Sequence, residues 1–255
     1  RYFMSPGPIK PNKDAYPEKI PGVFGSLGHH TTSVRYVQTA LPLRELDRLR
    51  LIMEIDGSEK WGVRELFQRN VDDKRVNDKI VPYFTHQRKR KFFNPLTVAI
   101  MPFEKEKVLT KFSEKKYEEI IEEREHDIIE AKKYYKVSLD TENPEYTLLE
   151  YNKENVRLVA IDGQHRLSAL KNVYATKEDV DEATHGYSDW RIPVVFILIE
   201  PQPRSFNYLD SVREVFVTIN SNAKRPSRAQ LILLDDYSIN HICVQEFVNY
   251  CQDKK

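Results

Sequence analysis

The sequence predicts a mixed α/β (α+β) domain, with helices around a small mixed sheet and a charged helical insertion. Three observations predict it. Runs at 34–40, 96–101, 146–151, 156–161 and 192–199 are rich in apolar and β-branched residues and have strand length. Between them, apolar residues recur at i, i+3, i+4 and i+7, the spacing of a helix with one buried face. Lys105 to Lys136 is dense in Lys and Glu, with Phe112, Ile120-Ile121, Ile128-Ile129 and Tyr134-Tyr135 interspersed. That composition reads as one or two exposed helices: a dimer arm, a DNA-facing excursion or a solvated face.

Composition narrows the classes. With 255 residues the chain has room for one large or two small domains, and 40% hydrophobic with 31% charged residues suits a soluble globular protein. The formal net charge is +1, so any nucleic-acid contact must come from local patches. Two cysteines are too few for a disulfide framework, and a reducing cytoplasm is the expected setting. No apolar run approaches the roughly 18 residues of a membrane span, and no signal peptide is evident. The histidines are scattered without zinc-ligand spacing, so no structural metal is expected.

Residues 1–30 carry Pro6, Pro8, Pro11, Pro17 and Pro21 with Gly7, Gly22, Gly25 and Gly28, and read as an irregular arm. A domain follows over 31–235, with the insertion at about 104–137, and then a C-terminal helix over 236–255. Val34 to Ala40 is the first strand. Pro42 to Met53 reads as a helix through Leu43, Leu46, Leu49 and Ile52-Met53. Asp72 to Phe84 is the next, with Val76, Ile80 and Tyr83-Phe84 inward and Asp72 and Asp73 at its positive end.

His86 to Lys91 is the sharpest basic cluster; Arg88, Lys89, Arg90 and Lys91 suit a DNA backbone, while Phe92 and Phe93 are expected in the core. Tyr146 to Tyr151 and Val156 to Ile161, joined by four polar residues, predict an antiparallel hairpin. Ser211 to Ile219 is a helix through Val212, Val215-Phe216 and Ile219. Ser227 and Gln230 form a capping-box start for the last helix, on which Cys243 and Cys251 are expected as small buried thiols.

The chemistry concentrates where the 156–161 strand ends. Gly163 permits a sharp turn, and from Arg166 a helical face begins through Leu167, Leu170 and Tyr174. A helix start attracts anions through its N–H groups and dipole. Arg166 has the planar fork that suits phosphate, and His165 could donate to a phosphate or move a proton. Asp162 could hold a divalent metal, orient the histidine or cap the helix. An equally economical reading has Asp162 capping and Arg166 paired with a nearby carboxylate.

Asp162-Gly163-Gln164-His165-Arg166 spells the motif that names the DGQHR-domain proteins. Among these, the chain most resembles the regulators encoded with bacterial DNA phosphorothioation (sulfur-modification) systems. The motif is also similar to the DGQQR of a nucleotide-hydrolysing restriction family. The resemblance implies a ParB/sulfiredoxin-like fold whose strand–turn–helix corner faces nucleotide or phosphate. Gln68-Arg69 resembles the first ParB-like box, and Phe216, Asn220, Ala223 and Lys224 match a second family signature. The resemblance thus assigns Gly163, Gln164, Arg166, Gln68, Arg69, Asn220 and Lys224 to nucleotide or phosphate, with Arg225 and Arg228 joining the cations that meet DNA. Family members are usually longer, so a further C-terminal portion is expected.

Two functions stay open. One is a DNA-binding regulator of a phosphorothioation and phage-defence system, controlled by a bound nucleotide. The other is a nucleoside triphosphatase, coupled to DNA nicking, that takes ATP or GTP with Mg2+. There Asp162 would hold the cation or orient His165, His165 would activate water, and Arg166, Arg69 and Lys224 would neutralise phosphates. Double-stranded DNA is the expected partner in both; a homodimer and contacts with other proteins of the modification system are further expectations.

Overall fold

Among the described residues eleven strands build one sheet, and their depth in it follows their composition. The computed structural model describes residues 15–28, 33–55, 72–86, 90–143, 145–176, 186–201 and 207–221, with helical positions 243, 246–247 and 250–251. The strands are β1 (Glu18–Leu27), β2 (Val34–Pro42), β3 (Leu49–Arg50), β4 (Leu96–Glu104), β5 (Lys107–Val108), β6 (Lys115–Ile121), β7 (Arg124–Ala131), β8 (Tyr135–Asp140), β9 (Thr147–Tyr151), β10 (Val156–Asp162) and β11 (Arg191–Ile199). Helices α1 (Asp73–Arg75) and α2 (Val81–Thr85) flank a π-helical turn, Val76–Ile80, and are followed by α3 (Gln164–Ala175) and α4 (Tyr208–Ser221). The chain divides into two units, Arg1–Phe216 and Val217–Lys255.

The sheet order is β3-β10-β4-β11-β2-β1-β9-β8-β7-β6, with β5 against β4. The pairs β10–β3 and β11–β4 are parallel and the others antiparallel, so the mixed α+β expectation is borne out. β4, β10 and β11 read as near-continuous apolar runs because both their faces are covered: Val98, Ile100, Val159, Ala160, Val194 and Phe196 are all buried. α3 closes one side with Leu167, Ala169, Leu170 and Val173.

β1 belongs to two pairings at once. Its first half, Glu18 to Gly22, runs beside β9, and its second half, Val23 to Leu27, beside β2. Pro21, which has no N–H to donate, and Gly22 sit at the handover. A Cβ on Gly22 would come within 2.6 Å of the Gln38 carbonyl oxygen, so this close approach needs glycine.

A buried polar centre joins β2, β8 and the residue before β6 to the start of α4. The Arg35 Nη2 donates to both carboxylate oxygens of Glu114, at 2.8 and 2.7 Å, and the two side chains are only 5% and 4% exposed. Tyr135 also donates to Glu114. The Tyr208 hydroxyl donates to the Ile100 carbonyl at 2.5 Å, and Phe112 packs edge-on against both tyrosines. Burial, then the Glu114 charge, pushes both phenols well above the usual tyrosine range. Arg35 Nε and Nη1 have no hydrogen-bond partner among the described residues.

Several local expectations give way. The Lys105–Lys136 segment is not helical but largely strand: β6, β7 and the start of β8. Its opposite charges, which suit i,i+4 helical pairs, join different strands instead, as in Glu119–Lys136 at 2.7 Å. Its Lys105-Glu106 and Glu122-Glu123 pairs take positive φ at tight turns, so polar residues stand where a glycine signal would be sought. The Pro42–Met53 helix is two 3-10 segments, Leu43–Arg48 and Ile52–Glu54, around β3. Leu43, Leu46, Leu49 and Ile52 are spaced by three, the period of a 3-10 helix, and all are buried.

The 146–161 hairpin does not form. β9 pairs with β1 and β8, while β10 lies between β3 and β4, because its two-sided apolar surface belongs at the centre. The latter part of the N-terminal arm is β1 rather than irregular chain. Cys243 and Cys251 are exposed, not buried, at helical positions, and Phe247 and Tyr250 at two others are exposed too.

Candidate functional site: the strand–turn–helix corner

The expected corner forms where β10 passes into α3. Asp162 ends the strand opposite Thr97 of β4, just past a register shift, and Gly163 precedes the helix with φ +84°. A Cβ there would lie 2.6 Å from Leu96 Cδ2 and 2.9 Å from Arg166 Nη2, besides straining the left-handed backbone. The motif therefore needs its glycine for both conformation and space. No side chain caps α3, so Asp162 does not take the capping role.

Asp162 pairs with Arg166 instead. The guanidinium Nη2 meets Asp162 Oδ2 at 2.9 Å, one helical turn along. Its other nitrogen, Nη1, donates to the Asn94 carbonyl, and the group lies over the Phe93 ring at 5.7 Å from the centroid. Arg166 thus ties strand, helix and the segment entering β4 into one unit. The paired-carboxylate reading of this arginine is the one the geometry contains.

His165 reaches a fourth element. Its Nε2 accepts from the Asp72 backbone N–H at 3.2 Å, and the Asp72 carboxylate in turn accepts from the Arg75 N–H at 3.0 Å to start α1. In this contact Nε2 is the acceptor. Beyond this capped start the helix passes through the π-helical turn to Pro82, which lacks an N–H and interrupts the ladder. Asn172 of α3 donates to Asn77 within that turn at 3.4 Å.

The residues Asp162 to Arg166 are all partly accessible, so the corner is open to a ligand. The basic segment leads into it. Arg90 is exposed, Lys91 donates to the His86 carbonyl, and Phe93 turns inward against Phe84. Phe92, expected in the core, stands 84% exposed. Adjacent residues on extended chain face opposite sides, and here only one of the two can reach Phe84.

Gln68, Arg69, Arg88, Lys89, Lys224, Arg225 and Arg228 lie outside the described residues. Asn220 falls within α4, and its side chain likewise lies outside them. Among the described residues, no group of three His, Cys, Asp or Glu side chains could hold a metal ion, and Asp162 has Arg166 as its charged partner. An open depression near 630 Å³ lies beside Phe103 and Lys133, at the other end of β4 and β10. Its lining includes Glu104, Glu106 and Glu154, which suits a phosphate poorly.

Three partners of the corner escaped sequence reasoning: Asp72 as a backbone donor, Asn94 as an acceptor and Tyr83, whose hydroxyl holds Phe92. The first two act through the main chain, which leaves no residue-type signal. The family match bears on the same residues. The sequence matches the family model DndB, described as DNA-sulfur modification-associated, over residues 27–252. The chain belongs to the DndB family. That span takes in the whole corner, both flanking helical elements and the basic segment. Neither a curated protein nor a solved structure matches the chain. Family membership thus gives a role associated with DNA sulfur modification.

Proposed function

We propose that this DndB-family chain is a DNA-binding regulatory protein of a DNA phosphorothioation and defence system, on a fold of the ParB/sulfiredoxin kind. Its corner holds a phosphate, from a nucleotide or from the DNA backbone. The observation that carries this reading is the start of α3, a 12-residue helix with no side-chain cap. Its first N–H groups and dipole favour an anion, and the exposed cation Arg90 lies four residues before Asn94, whose carbonyl Arg166 holds. Double-stranded DNA is the partner, bound at the cation cluster 88–91 with Arg225 and Arg228.

The nucleotide-hydrolysing alternative is less well supported by the same geometry. It asks His165 to take a proton from water, yet Nε2 is engaged by the Asp72 N–H. It asks Asp162 to hold Mg2+ and Arg166 to neutralise phosphates, yet these two are paired with each other. A charge-neutralised pair serves better as a brace than as a catalytic set.

The test measures duplex DNA binding across salt concentrations, together with phosphate release from ATP and GTP in magnesium. Wild type is compared with Arg90→Ala, Arg166→Ala and His165→Ala, each checked for folding. The expected result is salt-dependent DNA binding, a slope reduced by about one in Arg90→Ala, and no turnover. Turnover abolished by both corner substitutions would make the corner an active site. Absence of DNA binding by the wild type would overturn the regulatory reading.

A further inference from the structure

Phe92 has the most exposed large apolar side chain among the described residues, at 84%. Its ring does not hang from free chain. The Phe92 N–H donates to the Tyr83 hydroxyl at 2.8 Å, and that hydroxyl lies 3.0 Å from the Phe92 carbonyl as donor. Phe93 is wedged inward, 5.5 Å from Phe84 at 74° between ring planes. Asn94 is fixed by Arg166. The chain on both sides of the exposed ring is therefore anchored, with the ring two residues from Asn94, whose carbonyl Arg166 of the DGQHR corner holds, and two from the exposed Arg90. An aromatic ring held outward on a fixed backbone, beside a cation, has the two components of nucleic-acid base stacking: a π-face and a nearby charge for the adjoining phosphate.

We infer that Phe92 is a stacking platform for a nucleic-acid base, set beside the phosphate-holding corner. This rests on the reading of the protein as a DNA binder and adds to it the part of DNA that the corner meets. The ligand is the flat face of a base that has left its stack, either in an unpaired strand or at an opened step of a duplex. Phosphate held at the corner would fix the backbone while the ring takes the base, so the contact is sequence-tolerant.

The experiment compares wild type, Phe92→Ala, Phe92→Trp and Arg90→Ala with a single-stranded oligonucleotide, a perfect duplex and a duplex carrying one unpaired base. Phe92 is 84% exposed, so Phe92→Ala should fold as wild type does, which circular dichroism checks. Loss of the ring is expected to weaken binding by about 5- to 150-fold while leaving the salt slope unchanged. Arg90→Ala is expected to lower the slope instead. Phe92→Trp should restore affinity and show quenching of its added indole emission when the oligonucleotide binds.

A loss confined to the single strand and the unpaired-base duplex supports an unpaired base as the ligand. An equal loss on the perfect duplex supports an opened step. DNA bound equally by wild type and Phe92→Ala, with no indole quenching in Phe92→Trp, would overturn the stacking role and leave the DNA-binding reading intact. No DNA bound by wild type would overturn both.

Discussion

Removing the charge of Glu114 should destabilise the protein more than its distance from any candidate ligand suggests. Arg35 and Glu114 are 5% and 4% exposed, and Arg35 has two further nitrogens without a hydrogen-bond partner among the described residues. In Glu114→Gln the guanidinium keeps its charge and loses its counter-ion inside the core. Breaking one side of such a buried pair costs about 3–5 kcal/mol. The double substitution Arg35→Met with Glu114→Leu removes both charges and should cost much less. What remains is the loss of an acceptor for the Tyr135 hydroxyl, about 1–3 kcal/mol. Adding Tyr135→Phe should recover part of that. Urea unfolding at neutral pH of these variants and of the single substitutions Arg35→Met and Glu114→Leu, followed by tryptophan emission and far-ultraviolet circular dichroism, gives the stabilities and the coupling between the two charges. The reasoning fails if Glu114→Gln loses less than about 1 kcal/mol, or if the double variant loses as much as the two single ones together.

Gly163→Ala should lose about 2–4 kcal/mol by the same assay, from left-handed strain and collision with Leu96. Gly186→Ala, also at positive φ (+58°) but with nothing within 4 Å of the added carbon, should lose only the strain, about 1–2 kcal/mol. Arg166→Lys keeps the charge but cannot reach Asp162 and Asn94 together; faster amide hydrogen exchange over 91–95 checks it, and unchanged exchange would remove Arg166 as the brace of that segment. Stability should also fall at high pH. Burial raises the folded-state pKa of Tyr135 and Tyr208 above the ordinary 10.0, so their contribution is complete below pH 10 and lost as pH rises beyond it. Urea midpoints at pH 9 and pH 11 test this, and Tyr208→Phe should flatten the difference.

The corner was legible because its information is local: an apolar strand, a glycine and a helical stripe occupy 20 consecutive positions, 156–175, and each element behaves as its own residues dictate. The partners that hold it were not. Asn94 and Asp72 lie 72 and 93 residues from Arg166 and His165, and both contribute backbone groups that every residue carries. Strand identity was readable in all five apolar runs, but strand order was not, since β9 and β10 have similar composition and pair with different neighbours. The Lys/Glu segment misled for a related reason. Charges three or four apart suit a helix, and a strand with an exposed face tolerates the same charges, so Tyr135 and Val137 facing the core decide its form.

The position of β11 between β4 and β2 has a consequence for how the chain emerges from the ribosome. It is the last of the described strands to be synthesised, yet it fills the middle of the sheet. Until Ile199 has left the exit tunnel, β2 and β4 cannot be joined, and each presents an open, strongly apolar edge to solvent. The strands made earlier must wait in that condition, held by local hairpins such as β6–β7 and β7–β8, which need no later residue. The nascent protein is thus most vulnerable to wrong pairing just before residue 200, and a truncation ending there should be the species that chaperones retain.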